Sequence, residues 1–248
     1  VSSRRQRQMC IRDRIIGNEI LSGRTQDKNL SYLANWLNEI GIQLAEVRVI
    51  RDEEEIVVET VNYLRSTYDY VFTTGGIGPT HDDITSLCIA KAFGVELEIN
   101  SGALGILKEY YKDGELTDAR IKMTKMPVGS ELIDNPVSRA PGFKMDNVFV
   151  LAGIPSIMQG MLEGARMHLT VGEVVKSISI DVCTPESNVA DALTDLQNKY
   201  SEVEIGSYPF NKDNRFGTSV VMRSSDETKL KNCESDLKEL MKNYDTKY

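Results

Sequence analysis

The sequence predicts a mostly parallel, three-layer α/β domain over residues 15–170 and a small α+β domain over residues 171–248. Three observations carry that expectation. Apolar strand patterns alternate with helical ones from residue 15 to 169, the order that builds a parallel sheet covered by helices. Within that run, residues 70–93 read as a strand, a glycine-rich loop and a helix. Beyond residue 170 the order changes to β-α-β-β-α, which fits a split βαβ unit.

In chain order, residues 1–14 hold five arginines against Asp13 and have no usable periodicity. They read as a disordered or non-native basic arm, and they resemble translated sequencing-library adaptor. Ile15-Ile16 would then be the remnant of a first strand leading into Gly17-Asn18-Glu19 and Gly23. A helix is predicted from Asp27 to Ile40, stopped by Gly41, and a strand from Gln43 to Ile50. Asp52 lies just past that strand end, where ligands collect in open α/β sheets. It equally suits the start of the helix 53–66 as a cap. Helical patterns follow at 101–114 and 117–124, the second leading through Met123 and Met126 to a loop at a pocket rim or partner surface. Residues 132–143 carry Asn-Pro and Pro-Gly turn signals and read as a short exposed link. Val148–Leu151 is a buried strand, followed by a tight turn at Ala152-Gly153-Ile154-Pro155 and a helix to about His168. In the second domain, strands at 175–183, 203–208 and 218–223 and helices at 187–200 and 226–243 complete the pattern, with Ser207–Phe210 read as a turn.

Composition limits the function classes. With 248 residues, 41% hydrophobic and 27% charged, the chain is long enough to bury a real core. Its net charge is -8, and outside the arginine-rich start it carries 24 basic and 36 acidic side chains, a poor surface for nucleic acid. No apolar run suits a membrane span, so a cytoplasmic protein without membrane or nucleic-acid partners is expected. Four dispersed cysteines and two isolated histidines suggest neither a zinc cage nor a disulfide framework.

The chemistry-bearing stretch is Thr73-Thr74-Gly75-Gly76-Ile77-Gly78-Pro79-Thr80-His81-Asp82-Asp83-Ile84-Thr85. Glycines at 75, 76 and 78 let the backbone come close to a ligand, and the helix that follows offers unpaired N–H groups, which together make an anion cradle. Asp82 and Asp83 would repel a phosphate unless a cation intervened, so the loop suggests phosphate with a divalent metal. Either aspartate also fits a simple helix cap.

These segments, with I-G-N-E-I-L-S-G-R-T at 16–25, N-P-V-S-R-A-P-G-F at 135–143 and L-A-G-I-P-S at 151–156, resemble the MoaB/Mog-like molybdopterin-binding domain. The version they are most similar to is that of CinA, the competence/damage-inducible protein, and of the N-terminal part of some FAD synthases. I-G-S-Y-P at 205–209 resembles the segment that follows in CinA-like proteins. Asn18 and Ala152 depart from the family pattern, where Asp and Pro are common. The stretch to Tyr248 does not extend into a CinA-type amidohydrolase domain, so that activity is not expected of it.

The resemblance implies a Rossmann-like three-layer fold and a phosphorylated small-molecule ligand, either a dinucleotide or a pterin. It implies one of two activities: metal-dependent cleavage of ADP-ribose- or FAD-like pyrophosphates with Mg²⁺, Mn²⁺ or Co²⁺, or binding and adenylylation of molybdopterin. A non-enzymatic assembly module is a third reading, and homo-oligomers are implied. Carried onto this chain, Asp83 and Asp52 are the catalytic candidates, and Asp52, Asp82 and Asp83 the metal ligands. Gly17, Glu19, Asn29, Gly75, Gly76, Gly78, Pro79, Thr80, Thr85, Asn135 and Pro136 are the phosphate- or ligand-binding candidates.

Overall fold

The computed structural model describes residues 10–16, 21–24, 26–112, 114–212, 215–242 and 244, with backbone alone for 10–16 and 212. The chain divides into two compact units, Val1–Gly172 and Glu173–Tyr248. No described helix is long and apolar enough to cross a membrane.

The first unit runs β1 (Cys10–Ile16), α1 (Asn29–Glu39), β2 (Gln43–Ile50), α2 (Glu54–Thr67), β3 (Tyr70–Thr74), α3 (Thr85–Phe93), β4 (Leu97–Ile99) and α4 (Ser101–Tyr110). It continues through α5 (Asp118–Lys122), β5 (Lys125–Pro127), β6 (Glu131–Ile133), β7 (Gly142–Met145), β8 (Val148–Leu151) and α6 (Pro155–Arg166). Six strands form one sheet in the order β2-β1-β3-β8-β7-β6, parallel across the first four and antiparallel at β7 and β6. β4 and β5 pair separately.

The sheet separates two apolar layers because successive residues of a strand point to opposite faces. Phe72 and Phe149, stacked at 4.8 Å, and Leu151 face Leu33, Trp36 and Leu37 of α1 and Met158, Met161 and Leu162 of α6. Val71, Val148 and Val150 face Val61 and Leu64 of α2, Ile89 of α3 and Ala103 of α4. β3 and β8 are buried on both sides, which is why they read as continuous apolar runs.

Two expectations for this unit are corrected. Residues 10–14, expected in the basic arm, belong to β1, whose backbone pairs with β2 from Cys10 to Ile16 and with β3 from Ile11 to Ile15; residues 1–9 lie outside the described residues. The segment 132–143 is an exposed link only in part, with Asp134, Pro136 and Val137 exposed between its ends. It supplies β6 and β7, joined by a turn in which Asn135 is buried, and strands this short leave no readable alternation.

The second unit holds β9 (Lys176–Val182), α7 (Glu186–Lys199), β10 (Glu204–Lys212), β11 (Arg215–Ser224) and α8 (Glu227–Met241). Its sheet order β10-β11-β9 is antiparallel throughout, so β9 and β10 are mutually parallel with β11 between them, a split βαβ arrangement. Val182, Val220 and Met222 pack against Val189, Leu193 and Leu196 of α7 and Leu230 and Leu237 of α8. Ser207–Phe210, expected as a turn, lies inside β10. Pro209 is tolerated there because β10 is an edge strand, where a missing N–H costs no ladder bond.

Candidate functional site

A cleft of about 650 Å³ opens in the first unit where β3 and β8 end. That position follows from the topology, since strand C-termini in an open α/β sheet leave room between the loops that leave them. Its floor comes from the turn after β3, one side from the turn after β8, and another from Tyr111 and Met123.

The glycine loop takes its shape from backbone requirements. Gly75 and Gly76 have φ of 99° and 69°, the left-handed range that favours glycine. The Gly75 N–H donates to the Leu151 carbonyl at 3.1 Å, tying the loop to β8. A Cβ on Gly76 would lie 2.2 Å from the Thr85 hydroxyl, and one on Gly78 would lie 2.7 Å from an Asp83 carboxylate oxygen. Both glycines are thus held by their neighbours as well as by the cleft.

Asp83 is fixed by its own loop. Its Oδ2 accepts from the Thr80 N–H at 2.8 Å and from the Thr80 hydroxyl at 2.5 Å, closing the tip. Asp82, beside it, is exposed and held below the ordinary carboxylate value, first by the nearby Thr80 hydroxyl, then by its own backbone N–H, with His81 and Lys122 adding positive charge. The Lys122 ammonium donates to the Thr80 carbonyl, linking α5 to the tip. Neither aspartate caps α3, which begins after Ile84 with no side-chain cap. Asp52 lines the cleft just past β2, and the cap position of α2 falls to Glu53.

The cleft gathers Asp52, Asp82, Asp83, Asn29, Gly75, Gly76, Gly78, Pro79 and Asn135. It does not gather three other candidates. Thr85 is buried and its hydroxyl donates to the Gly75 carbonyl at 2.9 Å; Thr80 braces Asp83; Pro136 lies against Gly160 of α6. Gly17 and Glu19 lie outside the described residues. Asn135 reaches the cleft with its polar atoms used at home: its amide donates to Ser138 Oγ and the Ala140 carbonyl, each at 2.7 Å, and accepts from the N–H groups of Val137 and Ser138. Asn29 is different. Its amide donates to the Gly153 carbonyl at 2.8 Å, while its buried Oδ1 has no partner among the described residues. Thr74 also lines the cleft with a buried hydroxyl that has no partner among the described residues.

Thr74, Gly153, Ile154, Pro155, Ile157 and Tyr111 were missed as site residues by reasoning on motifs alone. The Ala152–Pro155 turn did carry a signal, a second strand-to-helix junction like the first. Tyr111 carried none.

Among the described residues no three His, Cys, Asp or Glu side chains come together to hold an ion. A preformed all-protein cage is therefore not present among them. The donor set does fit a hard cation that takes one or two carboxylates and fills its other positions with water and ligand phosphate, the usual manner of Mg²⁺.

Comparison with known proteins agrees with this architecture. Residues 14–168 match the family model described as probable molybdopterin binding domain, and residues 175–247 match the FAD synthase middle domain. A protein of Archaeoglobus fulgidus is 35% identical over 194 residues, covering 78% of this chain and 83% of that one. A probable FAD synthase of Caenorhabditis briggsae is 30% identical over 253 residues, covering 92% of this chain and 48% of its own length, so the chain spans about half of that relative. The crystal structure of CinA from Thermoplasma acidophilum, described as of unknown function, superposes with a TM-score of 0.60 at 33% identity, covering 64% of this chain and 97% of that one. With a family model matched over more than half of this chain and a CinA structure covered to 97% at 33% identity, the chain belongs to the MoaB/Mog-type molybdopterin-binding-domain family, among its CinA-like members.

Proposed function

We propose that the cleft binds the pyrophosphate of an ADP-ribose- or FAD-like dinucleotide and hydrolyses it with the help of a divalent cation. The observation that carries this reading is the pairing of a glycine cradle with carboxylates from two strand ends, Asp82 and Asp83 after β3 and Asp52 after β2, around one cleft. Backbone amides of Gly76–Gly78 would hold one phosphate. Asp83 Oδ1, whose sister oxygen is engaged by Thr80, and the exposed Asp82 would hold the cation from the loop side. When bound, a Mg²⁺-type ion supplies charge neutralisation at the phosphate oxygens. Asp52 would orient a water and take its proton. A water oxygen–phosphorus bond then forms as the bridging oxygen–phosphorus bond breaks, and the bridging oxygen departs with its electron pair on the second phosphate. ADP-ribose and water thus give AMP and ribose 5-phosphate.

The test is incubation of purified protein with ADP-ribose, FAD and other dinucleotides, with Mg²⁺, Mn²⁺ or Co²⁺ or with chelator, followed by chromatography for AMP. Metal-dependent AMP release is expected. Absence of release from folded protein overturns the reading and favours pterin binding or adenylylation, for which the family model's description speaks. A pterin retained through purification would support that second reading.

A further inference from the structure

We infer that Tyr111 is the base platform of this cleft, stacking the planar heteroaromatic ring of a nucleotide whose phosphates rest on the glycine loop. The inference rests on the reading of the cleft as a nucleotide site and adds where the base lies. A cleft of about 650 Å³ is far larger than a pyrophosphate needs and falls within the range of sites that enclose a whole drug-sized ligand. One part of its lining is unlike the polar loop: Tyr111, just beyond α4, and Met123.

The tyrosine is held in place before any ligand arrives. The Arg120 guanidinium covers one face of its ring at 4.0 Å from the centroid, and Arg120 is not among the residues that line the cleft. Tyr110 meets the ring edge-on, with centroids 5.0 Å apart and planes at 74°. Arg120 is anchored in turn, its guanidinium donating to the Glu115 carbonyl and its N–H to Thr117 Oγ1. Two residues further along α5, Lys122 reaches the Thr80 carbonyl at the tip of the phosphate loop. The aromatic wall and the phosphate cradle are therefore joined by one short helix. An aromatic face pre-set beside an anion cradle suits a ligand with a flat ring at one end and phosphate at the other.

The test is equilibrium binding to the full chain, read without turnover, with ADP-ribose and FAD as base-containing probes and ribose 5-phosphate and inorganic pyrophosphate as base-free ones. Tyr111→Ala is expected to weaken ADP-ribose and FAD binding roughly 5- to 100-fold, the effect of removing one aromatic–base stack. Base-free probes should bind as they do to the parent protein, and Tyr111→Phe should retain affinity for all four. Tyr111→Leu keeps apolar volume without a ring and serves in case the alanine variant fails to fold. The inference is overturned if the alanine and leucine variants bind ADP-ribose like the parent, if they lose pyrophosphate equally, or if the parent binds ribose 5-phosphate as tightly as ADP-ribose. Because no hydrolysis is measured, a catalytically silent protein that still loses base-containing probes on Tyr111→Ala would sink the pyrophosphatase reading and leave the platform standing.

Discussion

The two strand-to-helix turns that line the cleft solve the same geometric problem with different chemistry. The turn after β8 crosses to α6 in three residues, Ala152 to Ile154, with Pro155 opening the helix where its missing N–H is harmless, and it brings no charge. The turn after β3 takes ten residues to reach α3, bends through two left-handed glycines, and spends the extra length on a tip that holds Asp82 and Asp83. The two touch, through the Gly75 N–H to the Leu151 carbonyl and through Gly153, whose Cβ would come within 3.1 Å of the Gly75 Cα. The short turn gives shape and the long one gives chemistry, so substitutions in the two should separate stability from activity.

Asp83→Asn should have the largest effect on activity. Its side-chain oxygen can still accept from the Thr80 N–H and hydroxyl, so the tip should stay closed, while the charge offered to a cation is lost. Turnover of ADP-ribose is expected to fall by about 100-fold or more, with the melting temperature nearly unchanged. Turnover at the parent rate would remove Asp83 from the mechanism. A large fall in melting temperature would instead make its service to Thr80 the main one.

Gly76→Ala comes next and should damage both properties. The position has φ of 69°, and the added carbon would meet the Thr85 hydroxyl at 2.2 Å, which would have to leave the Gly75 carbonyl. Left-handed strain alone costs about 1–3 kcal/mol. In a chain of this size that lowers the melting temperature by roughly 2–10 °C. Gly153→Ala should be milder. Its Cβ would approach one backbone atom without left-handed strain, a cost near the low end of overpacking at about 1 kcal/mol. A Gly153→Ala protein less stable than Gly76→Ala, measured by thermal unfolding, would reverse the assignment of roles to the turns.

How much of this was legible in the sequence depends on how local each feature is. The strand, glycine loop and helix at 70–93 were readable because every signal lies within a few residues, and the alternation that sets the parallel sheet is equally local. The roles of Thr80 and Thr85 were not, since a hydroxyl in such a loop can face ligand or backbone and only the fold decides; both turned to the backbone or to Asp83. Asn135 does line the cleft, but that its polar atoms serve its own turn was equally hidden, because an asparagine before proline suits a turn as readily as a ligand. Arg12, Asp13 and Arg14 hid how far β1 extends back from Ile15-Ile16, since its pairing with β2 and β3 is a backbone property that charged side chains do not announce. The Tyr111 wall was invisible because that residue lies beyond α4, outside every motif and well along the chain from the glycine loop with which it shares the cleft.

The smallest effect expected concerns Asp82, and it separates the two neighbouring carboxylates. Asp82 is fully exposed and its pKa is lowered, chiefly by the Thr80 hydroxyl and then by its own backbone N–H. A carboxyl whose folded value lies below its unfolded value of 3.8 stabilises the fold at pH above 3.8 and loses that contribution as pH falls through the folded value. Asp82→Asn should therefore melt slightly lower than the parent at pH 7, with the difference closing as the pH drops below 3.8. In full solvent the stability change should stay small, so any large loss of ADP-ribose turnover in this variant reports a role toward the cation rather than toward the loop. A pH-independent difference in melting temperature would instead mean that the side chain acts through packing, and that charge at the tip resides functionally on Asp83 alone.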